Sequence, residues 1–357
     1  MSEGEPRHRS VRIPHLLRIV SGHAAAAAAL EELTDVARRR FLLVHSGRAS
    51  ATGYGATLAE AARRLGLQVE ECVVARNDEV SARLVLGRLT ACRPDWVVGV
   101  GGGRVVDVGK IAAARGEVEF ISVPTQAASD GICSPVAVMV GDDGRPQSLG
   151  ARIPAGIIVD FDVLGSAPRV AWLSGLGDLV SNLSAVLDWR LANQTQGEEI
   201  DDFACLTAEA AASSVIQDDT DLTDIAYQQK LIRGLVLSGF AMEMAGSSRP
   251  ASGSEHLISH ALDRLLPQPR PHGLQVALGT LAAFLLRGDR SRDLVRFYRA
   301  VGLPTVPADI GISEGDFMTA VMECRATRPG RWTVLDRLSP ERLERLREGF
   351  HDGDSIQ

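Results

Sequence analysis

Val98-Gly99-Val100-Gly101-Gly102-Gly103-Arg104-Val105-Val106-Asp107-Val108-Gly109-Lys110 starts as a buried-type apolar run, stops at three glycines and resumes in helical spacing. A strand, a glycine turn and a helix in immediate succession form the unit from which parallel sheets are wound. Glycines at such a turn let the backbone approach a pyrophosphate, and the helix that follows offers free N–H donors. The cluster alone is weak evidence, because tight strand-to-helix turns use glycine for structural reasons too. Asp107 and Lys110, on the helix after the turn, also have the spacing of an ordinary solvated ion pair.

The same alternation extends in both directions. Phe41-Leu42-Leu43-Val44-His45 reads as a strand, 57–65 as a helix, 69–74 as a strand and 80–89 as a helix, so the glycine turn follows the third strand of this reading. Phe120-Ile121-Ser122-Val123-Pro124 and Gly156-Ile157-Ile158-Val159-Asp160 read as further strands. Past Pro168 the texture changes. Residues 170–173, 179–190, 200–216, 224–244, 255–265, 274–286, 291–301, 314–325 and 340–349 all carry helical spacing. The expected architecture is an α/β, Rossmann-like domain over residues 1–165 and an all-α domain over residues 166–357. A ligand cleft between two such units is the usual arrangement. Residues 1–9 are polar and read as a lead-in with no apolar segment of a secretion signal.

Composition narrows the function classes. The chain has 357 residues, 45% of them hydrophobic, but only 4% aromatic, so aliphatic packing must fill the core. A net charge of −7 without a basic tract gives nucleic acid nothing to hold. Apolar runs such as 24–30 are too short to span a bilayer. Five scattered cysteines, none in a C-x-x-C, fit a reducing cytoplasm and exclude a cysteine-built zinc site. Cys133 reads as a small filler.

The chemistry gathers elsewhere. In Ser247-Ser248-Arg249-Pro250-Ala251-Ser252-Gly253-Ser254-Glu255-His256-Leu257-Ile258-Ser259-His260, two histidines lie four apart and share one face of a helix. His272 follows a break at Pro267-Gln268-Pro269-Arg270-Pro271, where the chain can turn back. Imidazoles gathered in this way suit a divalent metal.

Gly101-Gly102-Gly103 followed by Asp107 and Lys110 resembles the phosphate-binding turn of the superfamily that holds iron-containing alcohol dehydrogenases, glycerol dehydrogenases and dehydroquinate synthases. Within it, the chain is similar to the sn-glycerol-1-phosphate dehydrogenases. Four further segments carry that resemblance: Ser122 through Pro135, Ser174-Gly175-Leu176-Gly177-Asp178, the Ser247 to His260 stretch with His272-Gly273, and Arg328-Pro329-Gly330-Arg331-Trp332-Thr333. Order and spacing hold from about residue 40 to 335.

The resemblance implies a dehydroquinate synthase-like fold with one divalent metal, Zn2+ with Fe2+ and Ni2+ as alternatives. Its ligands would be Asp178, His256 and His272, with His260 facing the substrate. It places Asp130 against a substrate hydroxyl. It places NAD or NADP along Gly101, Gly102, Gly103 and Asp107, and along Thr125, Gln126, Ala127, Ala128 and Ser134. The implied reaction interconverts a secondary alcohol and a ketone on a small polyol phosphate. The implied protein is a cytoplasmic homo-oligomer.

Taken singly, several of these residues have plainer readings. Asp178 can cap a helix after Gly177, Asp130-Gly131 can be a turn, and Arg249-Pro250 can be structural.

The chain also departs from the family pattern. Gln126, Ala128 and Ser129 stand where the family has two small hydroxyls and a histidine. Leu274 replaces a glutamate, and Arg152 a lysine. After the first strand of this reading stands His45-Ser46-Gly47-Arg48, without the acidic residue that holds a ribose 2′-OH. Arg48 there favours the 2′-phosphate of NADP. The changed pocket residues leave room for a modified substrate. A second reading is a dehydroquinate-synthase-like cyclase using NAD transiently. Such cyclases surround a phosphate with several lysines, whereas Lys110 and Lys230 are the two lysines of this chain.

Overall fold

In the computed structural model the described residues are 11–14, 16–33, 37–47, 53–216, 221–289 and 292–351. Eight strands are present among them: β1 Leu16–Val20, β2 Arg40–His45, β3 Gln68–Val73, β4 Trp96–Gly101, β5 Glu119–Pro124, β6 Val136–Val140, β7 Pro146–Gly150 and β8 Gly156–Asp160. Six form one sheet in the order β1-β8-β5-β4-β2-β3, every neighbouring pair parallel. Helices α1 His23–Glu32, α2 Tyr54–Arg64, α3 Glu79–Cys92 and α4 Gly103–Arg115 connect its strands, and α5 Phe161–Leu164 leaves it.

Helices α1 and α2 cover one face of the sheet, over Phe41, Leu43, Val98 and Ile121. Helices α3 and α4 cover the other, over Leu42, Val44, Val97 and Phe120. With both faces covered, β4 is buried along its whole length, which is why it reads as an unbroken apolar run. The chain leaves β2 toward one edge and β4 toward the other. The order therefore reverses between these two strands, and such a switch point opens a crevice at the carboxyl ends. The Gly101–Gly103 turn lies at that end of β4.

Two elements differ from the sequence reading. Leu16–Val20 is a strand at the sheet edge, paired with β8, so the glycine turn follows the fourth strand, not the third. Leu16-Leu17-Arg18-Ile19-Val20 carries no alternation, and a lone edge strand has no hairpin partner nearby to betray it. Strands β6 and β7 form a separate antiparallel hairpin. Its signal was present in Val136-Ala137-Val138-Met139-Val140 before the turn-type Gly141-Asp142-Asp143-Gly144.

The rest of the chain is helical: α6 Arg169–Val180, α7 Asn182–Gln196, α8 Asp202–Ile216, α9 Ile225–Ala245, α10 Ser254–Leu265, α11 His272–Arg287, α12 Arg292–Val301, α13 Glu314–Glu323 and α14 Pro340–His351. Helix α6 is much longer than the 170–173 segment expected, because it runs on through Gly175 and Gly177. These glycines look like helix breakers in sequence but serve close packing.

At the crossing of α6 and α11, a Cβ on Gly177 would sit 2.2 Å from the Gly273 carbonyl oxygen. One on Gly273 would sit 1.8 Å from the Ser174 carbonyl oxygen. Backbone meets backbone there, and only glycine allows it.

One core joins α6, α9, α11 and α12 to β8 through Ile157, Leu176, Leu235 and Tyr298. One helical stretch among the described residues, Arg169–Gln196, is long and apolar enough to cross a membrane, and 78% of its apolar window is buried inside the fold.

Candidate active site

Asp178 lies in the last turns of α6, His256 in the first turn of α10, and His272 at the first position of α11. Asp178 is therefore inside its helix and does not cap it. Its Oδ1 is 3.6 Å from Nε2 of both His256 and His272. One ligand atom from each of the three lies within 4.8 Å of the other two. The His256 and His272 rings are 5.1 Å apart, and His260 stands 6.3 Å from each. The pattern of four residues thus puts His260 on the same side as His256, one step outside the cluster.

Each member of the cluster is held from behind. The Asp130 backbone N–H donates to Asp178 Oδ2 (2.8 Å). His256 Nδ1 meets Glu255 Oε1 at 3.0 Å. A carboxylate only accepts, so Nδ1 carries the proton and Nε2 is left to bind a cation. Glu255 is fully buried and also accepts from the Ser184 hydroxyl (2.7 Å) and the Gly253 N–H. His272 Nδ1 lies 3.2 Å from the Ser259 hydroxyl. Ser174 ties the loop after β5 to α11, donating to the Ala128 carbonyl (2.9 Å) and accepting from the Gly273 N–H (3.1 Å).

The electrostatics follow from these contacts. Burial disfavours charge on Asp178, yet the closeness of His256 and then of His272 holds its carboxyl below the ordinary value. Burial also opposes charge on His256, but the neighbouring carboxylates of Asp178 and Glu255 raise it to about 9. His260 is pulled down to about 3, by burial and then by its neighbouring histidines, so it stays neutral. Asp130 is pushed up to about 7, first by burial and then by the charge of Asp178. Its Oδ2 accepts from the Ser238 hydroxyl (2.9 Å), and its Oδ1 has no hydrogen-bond partner among the described residues.

These groups line one cleft of about 410 Å3 that holds Asp130, Asp178, His256, His260 and His272. Asp107, Ser129 and Ser134 belong to the same wall, as do Ser148 and Leu149 of β7. The hairpin missed in the sequence is therefore part of the site.

The glycine turn, Thr125, Gln126, Ala127 and Ala128 do not line this cleft; they lie at the carboxyl ends of β4 and β5. The Thr125 N–H donates to the Gly101 carbonyl (2.9 Å), which locks the two loops together. Helix α4 has no side-chain cap, so its first N–H groups are left for an anion. The Ala127 side chain is fully buried in the apolar core under α6, where a ligand cannot touch it. Ser134 is buried and donates to the Val136 carbonyl (3.3 Å). Cys133 is a buried filler, as expected.

Two plain readings are settled. Lys110 is not a solvated partner of Asp107. It is wholly buried and donates to the carbonyls of Gly131 (2.7 Å) and Val136 (2.8 Å), with Asp107 3.8 Å away. It therefore shapes the loop that carries Asp130. Arg249 is structural: its guanidinium forks onto Glu198 and donates to the Trp332 carbonyl (2.9 Å). Arg48 lies outside the described residues.

Known proteins resemble this chain in sequence and in fold. The sequence pattern of the family described as iron-containing alcohol dehydrogenase matches residues 20–168. A glycerol-1-phosphate dehydrogenase [NAD(P)+] of Methanosarcina acetivorans is 32% identical over 335 residues, covering 92% of this chain and 93% of that one. That of Hyperthermus butylicus is 41% identical over 277 residues, covering 76% and 79%. Among solved structures, a probable glycerol dehydrogenase from Sinorhizobium meliloti superposes with a TM-score of 0.75 at 23% identity, covering 98% of this chain and 100% of that one, a likeness of fold. The chain belongs to the iron-containing alcohol dehydrogenase family, within its glycerol-1-phosphate dehydrogenase branch.

Proposed function

We propose that this enzyme is an NAD(P)-linked, metal-dependent oxidoreductase that interconverts a secondary alcohol and a ketone on a small polyol phosphate. The observation that carries the reading is the convergence of Asp178, His256 and His272 from three separate helices on one cleft. Two imidazoles and a carboxylate fit a borderline divalent ion, and we assign Zn2+, with Fe2+ and Ni2+ as alternatives. When bound, the ion supplies Lewis acidity that lowers the pKa of a substrate hydroxyl or polarises a ketone. NAD(P) supplies the hydride acceptor or donor.

The chain's own residues do the rest. Glu255 fixes the His256 ring, and the Asp130 N–H fixes the Asp178 carboxylate. Asp130 Oδ1 is free to take a hydrogen bond from the reacting hydroxyl region. Its place on the cleft wall beside that hydroxyl suits it to take up the released proton. Neutral His260 is the second acceptor on the same wall.

The cofactor is assigned to the N-terminus of α4 and the Gly101–Gly103 turn. A Cβ on Gly102 would meet no atom closer than Gln126 Oε1 at 3.5 Å. Gly102→Val should therefore fold, while its side chain occupies the place of the pyrophosphate. Binding of NAD(P)H, followed by nicotinamide fluorescence, is expected to weaken at least about tenfold through lost N–H contacts and steric exclusion. Unaltered binding would move the cofactor elsewhere.

The substrate is tested by reduction of dihydroxyacetone phosphate with NAD(P)H and Zn2+. Net oxidation of the nicotinamide supports the dehydrogenase, and none would sink the reading. Ser129 lines the cleft but spends its hydroxyl on the Gly131 N–H (3.2 Å). Asp130→Ala is expected to cost about tenfold or more in kcat/KM, as a hydrogen bond to a charged group is lost. The Ser129→His, Gln126→Ser double variant is expected to gain on the same ketone. A parent already as fast as a typical dehydrogenase, with no gain in the double variant, would make the departures neutral drift and glycerol 1-phosphate the substrate.

A further inference from the structure

We propose that Arg328, braced together with Arg331 on Ser248, is the anchor that holds the phosphate of the substrate. The inference rests on the polyol-phosphate reading above and assigns its charged end.

The segment 328–333 packs as a strap against the loop before α10. Arg328 Nη1 donates to the Ser248 hydroxyl oxygen at 2.9 Å, and Arg331 Nη2 donates to the same oxygen at 3.2 Å. Arg331 Nη1 donates to the Ser252 carbonyl. Arg249 stands beside them, and the Glu198 carboxylate that reaches the group is taken by Arg249. Among the described residues, neither Arg328 nor Arg331 has a carboxylate within ion-pair distance. Three guanidiniums thus gather around the Glu198 carboxylate, with the Glu255 carboxylate also acting on Arg331.

Arg331 is half-buried in this group, while Arg328 is exposed. Partial desolvation, and then the charge of Arg249, weaken the hold of Arg328 on its proton. Burial, with Arg328 and Arg249 beside it, brings Arg331 down to about 9. The excess of guanidiniums over carboxylates in this group suits a phosphate. A guanidinium fork matches its oxygens in pairs. Arg328 has five N–H donors, of which one is used within the described chain.

Position completes the argument. Arg328, Ser247, Ser248 and Ser252 line the same cleft as Asp130, Asp178 and the three histidines. A second hollow of about 290 Å3 adjoins it through His260 and Arg328, and there Arg145 and Arg264 face a single carboxylate, Asp263. An anion entering from this side meets three arginines and one carboxylate, and a phosphate on Arg328 leaves the carbon chain running toward the histidines.

Two measurements on the full-length holoenzyme test the anchor. Steady-state rates of Arg328→Gln are expected to show a KM for dihydroxyacetone phosphate at least about tenfold higher, with a smaller change in kcat. The preference for that ketone over unphosphorylated dihydroxyacetone is expected to fall by the same factor, and Arg328→Lys to recover part of it. Calorimetric titration of inorganic phosphate, with NAD+ saturating so that the glycine turn is filled, is expected to show binding to the parent and at least about tenfold weaker binding to Arg328→Gln. Equal phosphate binding by both proteins would overturn the anchor, as would an equal loss on both ketones. If the parent reduces neither ketone yet loses phosphate binding on Arg328→Gln, the anchor stands and the polyol-phosphate reading fails by itself.

Discussion

His272→Ala is expected to fold, to lose its stoichiometric divalent metal and to lose about a thousandfold or more in turnover, as several kcal/mol of Lewis-acid stabilisation disappear. The His272 side chain is 39% exposed and starts its helix, so its removal opens no large cavity. His256→Ala should also empty the site, but it leaves Asp178 and Glu255 as two buried carboxylates without the cation between them. Some loss of stability is expected there. Glu255→Gln keeps the shape and weakens the hold on His256, for which about 10–100-fold in metal affinity is the usual cost of a lost supporting carboxylate. Elemental analysis of the purified variants is the deciding measurement. Full metal content in His272→Ala would show that the cluster is not the metal centre.

Strands β2, β3, β4, β5 and β8 were legible because period and turn chemistry are local. So were most helices, whose ends the reading misplaced by a few residues. Leu16–Val20 was not, since its partner among the described residues, Gly156–Asp160, lies some 140 residues away. The three residues of the cluster come from places 78 and 16 residues apart, and no local pattern brings Asp178 to His256. Their grouping was read from resemblance, and the fold brings their ligand atoms within 4.8 Å of one another. Their role as metal ligands is our proposal.

Glu255 stood in the quoted motif without a role. Its signal was an acidic side chain beside a histidine in a first helical turn, but its full burial becomes visible only in three dimensions. Arg249 bears out its plainer, structural reading. It sits in the most distinctive motif of the chain, yet it serves as a brace on Glu198, while the unpaired guanidiniums lie some 80 residues further on.

The second large effect is expected from a substitution that touches no reacting group. A methyl on Gly273 would lie 1.8 Å from the Ser174 carbonyl oxygen and 2.5 Å from its carbon, and both are backbone atoms that cannot swing aside. Helices α6 and α11 must part, and these two helices carry Asp178 and His272. Gly273→Ala is therefore expected to destabilise the fold by about 3 kcal/mol or more, at the upper end for an overpacked core. Metal content should fall together with stability, because the ligand atoms would be drawn apart. Gly87 is the control. It lies inside α3, and a Cβ there would meet nothing within 4 Å. Gly87→Ala should stabilise by about 0.5–1 kcal/mol, since alanine loses less backbone freedom in a helix. Urea unfolding of the two variants and the parent reads the difference. If Gly273→Ala unfolds at the same urea concentration as Gly87→Ala and keeps its metal, the α6–α11 contact does not set the geometry of the site. The glycine beside the histidine would then need another explanation.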